Sequence, residues 1–151
     1  MSSPEGSTVT FRGVGLNPLR ARIRKFARTL QSEVAKGRPF DCLITTDAEL
    51  RRLNRTFRGK NYPTDVLSFP SGEAAPGPRL GDLAISSQRA RAQAREIGHT
   101  TEQEIYVLML HGVLHLAGLD HETDAGGMAR AESRYRRRLG LPCALTERKP
   151  L

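Results

Sequence analysis

The sequence has no tryptophan, and its aromatic share is only 5%. A surface built to stack successive bases needs more rings than that, so a bound nucleic acid would be gripped by its backbone. Cysteine is nearly absent. Cys42 and Cys143 stand far apart with neither a disulfide framework nor a paired metal motif around them, and Cys42 reads as a buried free thiol. Long apolar runs are missing too: the longest, Ile105–Leu110, is far short of the roughly 20 residues of a membrane span. The opening MSSPEGS lacks the basic start and apolar core of a secretory signal. These absences point to a cytoplasmic chain with no membrane partner.

Acidic residues are also in short supply. Against 16 Asp and Glu stand 24 Lys and Arg, a formal net charge of +8, and 20 of the basic residues are Arg. The planar guanidinium fork suits phosphate, which favours an anionic partner without specifying a fold.

The 151 residues amount to a single domain, 1–151, with 1–7 and 145–151 as loose polar tails. Helix and strand signals alternate between them. TVTFR (8–12) suggests a short strand. Leu19, Ile23, Phe26, Leu30 and Val34 recur at steps of three or four, which makes an amphipathic helix ending near Gly37. FDCLITT (40–46) is strand-like. Thr46 and Glu49 stand at capping-box spacing ahead of a helix whose buried stripe is Leu50, Leu53 and Phe57. TDVLSF (64–69) and LGDLAI (80–85) read as strands that form a hairpin if they pair. Three more helices fit 87–97, 101–117 and 124–139. The last carries Met128, Ala131, Tyr135 and Leu139 on one face. The sum is an α+β fold: a small mixed sheet of about four strands covered by about five helices.

Histidine is rare as well, but three of the four fall in HGVLHLAGLDH (111–121). His111 and His115, four apart on a predicted helix, project from one face a turn apart. Gly118 permits the left-handed turn that ends the helix, and His121 can then reach the same point. Three imidazoles with a fourth position left for water describe a catalytic zinc site. Imidazole also suits copper, nickel and iron, with zinc favoured. Asp120 has two open roles, orienting a ligand ring or capping the next turn; Asp65 and Asp82 share that ambiguity. His99, in a turn after Gly98, reads as a loop histidine rather than a fourth ligand.

The spacing matches the metzincin proteases, HExxHxxGxxH, except that Gly112 stands where those enzymes carry their general-base Glu. A protease mechanism there lacks its proton acceptor. Met128 fits a helix stripe better than a Met-turn.

With LNRTFRGKNYPTDVLSFP (53–70) upstream and LGDLAIS between the two stretches, HGVLHLAGLDH makes the sequence resemble the YbeY family, the bacterial zinc-dependent endoribonucleases of rRNA maturation. The likeness in layout spans about residues 8–140. It implies one zinc ion on His111, His115 and His121, with His115 and Arg58 as catalytic residues. It further implies action on single-stranded RNA and rRNA, at the small-subunit 3′ end, with the ribosome as partner.

A phosphodiester transition state spreads negative charge over oxygens and is stabilised by fixed cations, a role open to Arg58 at a predicted helix end. Arg55 and Lys60 beside it are candidate RNA contacts. Residues 11–60 hold 13 Lys and Arg against four acids, and both predicted helices there are decorated with Arg, an electrostatic footprint for phosphates. RYRRRLG (134–140) is weaker evidence, because cations at a helix C-terminus also offset the helix dipole. Two other readings remain: a non-catalytic ribosome-assembly factor with a structural metal, and a peptide metallohydrolase.

Overall fold

Strands and helices alternate along the chain much as the periodicity predicts. The computed structural model describes residues 6–60, 64–71, 79–119 and 126–142. The elements are β1 (Thr8–Phe11), α1 (Arg20–Glu33), β2 (Phe40–Thr45), α2 (Asp47–Arg58), β3 (Val66–Pro70), β4 (Gly81–Ser86), α3 (Ser87–Ile97), α4 (Thr101–Leu116) and α5 (Gly127–Leu139). A single 3-10 turn, Asn17–Leu19, precedes α1.

The sheet runs β1-β2-β4-β3. The first three strands are parallel, and β3 lies antiparallel on β4 at the edge, closing the expected hairpin. Because side chains alternate across a strand, each strand feeds two cores. Phe40, Cys42, Ile44, Leu83 and Ile85 join the main one with α1 and α4. Leu67 and Ala84 point the other way, beneath Leu50 of α2. Helices α1 and α4 therefore cover one face and α2 the other.

Helix α4 is the centre of the molecule. It packs against β3, β4, α1, α3 and α5, and eleven of its 16 residues are buried. This explains why its sequence is apolar nearly all round, since a helix enclosed on every side has no water-facing stripe.

Three sequence expectations change. Phe57, expected in the buried stripe of α2, is 65% exposed and meets the edge of Phe69, with ring centroids 5.7 Å apart. A single helix cannot cover a four-stranded face, so the end of α2 overhangs an open cleft of about 470 Å³ lined by Thr10, Leu43, Leu53, Phe69 and Asp82. Ser7, assigned to the loose tail, is tied down: its amide and hydroxyl both donate to Gln31 Oε1, and its Oγ accepts from the Phe40 amide. The Thr46 hydroxyl caps α2 by accepting from the Glu49 amide, but the Glu49 carboxylate is engaged by Arg52 instead of completing the box.

Candidate metal centre

The register of α4 is set at its start. The Thr100 hydroxyl accepts from the Gln103 amide while the Gln103 side chain accepts from the Thr100 amide, a complete capping box. From there the helical period carries His111 and His115 to one face. Their rings meet edge to face with centroids 4.7 Å apart, and the two Nε2 atoms are 3.1 Å apart. Two nitrogens bound tetrahedrally to one ion at 2.0–2.1 Å stand about 3.3 Å apart, so the pair fits a shared ion with little adjustment.

The other nitrogen of His111 is fixed by a residue that sequence reasoning missed. Nδ1 lies 2.7 Å from Glu132 Oε2, a carboxylate buried on α5. A carboxylate accepts but does not donate, so Nδ1 carries the hydrogen and the Nε2 lone pair is aimed at His115. A signal for Glu132 did exist: it stands inside the Met128–Ala131–Tyr135 stripe, where a carboxylate without a partner would be costly.

Gly112 is where the helix presses closest to the sheet. A Cβ there would lie 2.6 Å from Leu83 Cδ2 and 3.3 Å from Val66 Cγ2, and its carbonyl accepts from the Ser68 hydroxyl. A side chain at this position would have to displace Leu83, so the site is built for glycine where the protease pattern has its general-base Glu. Beyond the helix Gly118 takes φ +97°, with its amide donating to His115 O; this is the left-handed turn its sequence position requires. The further expectations for His121 and Asp120 lie outside the described residues.

Arg58 closes α2. Gly59 follows as C-cap at φ 68°, a conformation in which glycine carries no Cβ penalty. Arg55, Arg58 and Lys60 are all exposed. Arg58 and the histidines lie on opposite faces of the sheet but at the same end of it. Phe57 touches Phe69, Phe69 pairs with Asp82, and the neighbouring Gly81 lies against Leu116 of α4.

The family model described as Endoribonuclease YbeY matches residues 13–140. The chain belongs to the YbeY family. It is 68% identical over 148 residues to the endoribonuclease YbeY of Solibacter usitatus, covering 98% of each chain. It is 53% identical to that of Koribacter versatilis, over 70% of this chain and 68% of the relative. To the Nautilia profundicola protein it is 47% identical, over 72% and 77% respectively.

Other charged residues of this YbeY-family chain have structural duties. His99 stands in the turn after Gly98 as expected, but its side chain is buried, with Nε2 2.7 Å from the buried Glu104. Glu104 precedes His115 by eleven residues on α4, about 16 Å along the axis, so His99 is no ligand. Asp65 caps β3, accepting from the Val66 amide and from Gln93. Asp82 pairs with Arg79. The basic face expected on α1 is largely consumed. Arg22 binds Glu102 with two bonds of 2.9 Å; Arg20 and Arg24 donate to backbone carbonyls and lie over Phe11. Since α1 and α2 cover opposite faces, residues 11–60 do not form one continuous phosphate-binding surface.

Proposed function

We propose that this chain is a zinc-dependent endoribonuclease that cleaves single-stranded RNA and matures the 3′ end of small-subunit rRNA in the cytoplasm, on the ribosome. The observation that carries the reading is the His111–His115 pair, with Nε2 atoms 3.1 Å apart and Nδ1 of His111 held by Glu132. His111, His115 and His121 would hold the ion. Bound there, zinc would supply the Lewis acidity that brings the pKa of a water to near neutrality and polarises a phosphoryl oxygen.

The residues of the chain contribute the rest. Glu132 keeps His111 in the tautomer that ligates. Gly112 seats the helix on the sheet so that both rings keep their spacing. Arg58 offers a guanidinium fork for phosphate at the same end of the sheet, and no side-chain hydrogen bond or ion pair engages it among the described residues. The scarcity of rings makes binding led by the RNA backbone, hence salt-dependent and weakly selective for sequence.

The test compares wild type, His115→Ala and Arg58→Ala on a 3′-extended small-subunit rRNA fragment, with zinc content and folding measured on each. Wild type should cut and both variants should fail, with Arg58→Ala folded and still holding zinc. Equal cutting by all three overturns the reading. A wild type that binds this RNA and zinc without cutting reassigns the histidine centre to a structural role.

A further inference from the structure

Charge on α5 is segregated. Its one carboxylate, Glu132, is turned inward to His111, while Arg130, Arg134 and Arg137 are exposed on the outside. These three stand at successive steps of four and three, so they share one face of the helix, about 10 Å from first to last. Between them the side chains are small: Ala129 and Ser133 floor an open groove of about 740 Å³ with the arginines as its walls. Arg137 Nε donates to Ser133 O at 3.3 Å, and the Arg134 guanidinium lies 5.5 Å from the Tyr135 ring centroid.

Helix stability does not account for this face. Cations in the last turn offset the helix dipole, which serves for Arg136, Arg137 and Arg138. Arg130 stands near the opposite end, where the dipole disfavours a cation, and Arg134 lies mid-helix. The three exposed arginines surround a groove on the same helix that fixes His111.

We propose that Arg130, Arg134 and Arg137 form a binding site for the phosphate backbone of single-stranded RNA, on the side of α5 opposite His111. The inference rests on the reading of the chain as a ribonuclease of single-stranded RNA. The helix itself, with Glu132 bound to His111 on its inner side, separates this groove from the histidine rings.

The experiment measures binding of a fluorescein-labelled single-stranded RNA, checked to be intact at the end of each titration, to the full chain across a range of salt concentrations. The variant Arg130→Gln/Arg134→Gln/Arg137→Gln should bind about tenfold or more weakly at 0.1 M salt. Its slope of log affinity against log salt should be shallower by about 2, three lost contacts at about 0.7 each. The triple Lys variant should restore the slope. An unchanged slope in the folded Gln variant overturns the proposal. So does a variant that loses only affinity for an acidic polypeptide, which would make this a protein-binding face. Since binding is read on intact probe and cutting is measured separately, the two readings separate. A shallower slope beside a wild type that cuts no RNA keeps this site and removes the nuclease, whereas an unchanged slope in a variant that still cuts removes this site alone.

Discussion

Glu132 Oε2 and His111 Nδ1 are 2.7 Å apart, both out of water, and they join α5 to α4 at the ligand ring. Replacing Glu132 with Gln keeps the shape but lets the neutral amide pair with either tautomer. Zinc affinity, read by competition with a chromophoric chelator, should weaken by about 10- to 100-fold, as is usual for the loss of a partner behind a metal-bound histidine. Glu132→Ala should in addition lower unfolding stability in urea by about 1–3 kcal/mol, the cost of a buried donor without an acceptor.

The seat of α4 on the sheet makes a second expectation. Gly112→Ala gains up to about 1 kcal/mol of helix propensity, but its methyl would sit 2.6 Å from Leu83 Cδ2 in the core. Overpacking of this kind costs about 1–3 kcal/mol, so the variant should be destabilised on balance in urea. Leu83→Val, which removes a methylene beneath the same spot, should relieve the double variant; stability that falls additively would show that the two side chains do not meet.

Acid stability is the third. The Arg22 hydrogen bond holds the Glu102 carboxyl below its ordinary 4.5, aided by the Tyr106 hydroxyl and opposed by partial burial. A group with a lowered folded pKa stabilises above its unfolded value, and that contribution fades as pH falls below about 4.5. Glu102→Gln should therefore lower stability at pH 7, by less than about 1 kcal/mol for so exposed a pair, and leave it unchanged at pH 2. Chemical denaturation at the two pH values measures this.

Cys42 lies in the main core, and burial pushes its thiol pKa well above the ordinary value. A neutral, enclosed thiol is a poor nucleophile. In a Cys143→Ser background, an aromatic disulfide reagent should label the native protein only as fast as it unfolds, and at once in denaturant. Rapid labelling of the native state would show that the strand opens locally.

The histidine pair was legible in the sequence because both members share one helix, where a spacing of four fixes direction without reference to anything else. Glu132 was not, because its partnership with His111 spans two helices; only its place among Met128, Ala131 and Tyr135 hinted at a buried carboxylate. Phe57 shows the opposite failure. Its spacing after Leu50 and Leu53 is correct for a buried stripe, but periodicity knows the direction of a side chain and not where the covering surface ends. The mixed sheet was readable as composition, whereas the order β1-β2-β4-β3 depends on crossovers that local patterns do not encode. Charge was the least readable of all. The arginines of α1 and of α5 look alike as letters, and only the structure shows Arg22 of α1 paired with Glu102 and Arg130, Arg134 and Arg137 of α5 lining a groove.

The enclosure of α4 also governs how the molecule breathes. With eleven buried residues and packing on five other elements, its central turns have no way to open short of global unfolding, so the amides of Leu108–Val113 should be among the slowest to exchange with solvent. His111 sits within that most protected stretch. The ring is therefore carried on the backbone expected to open least, and a partner arriving at it meets a ligand on a rigid mount.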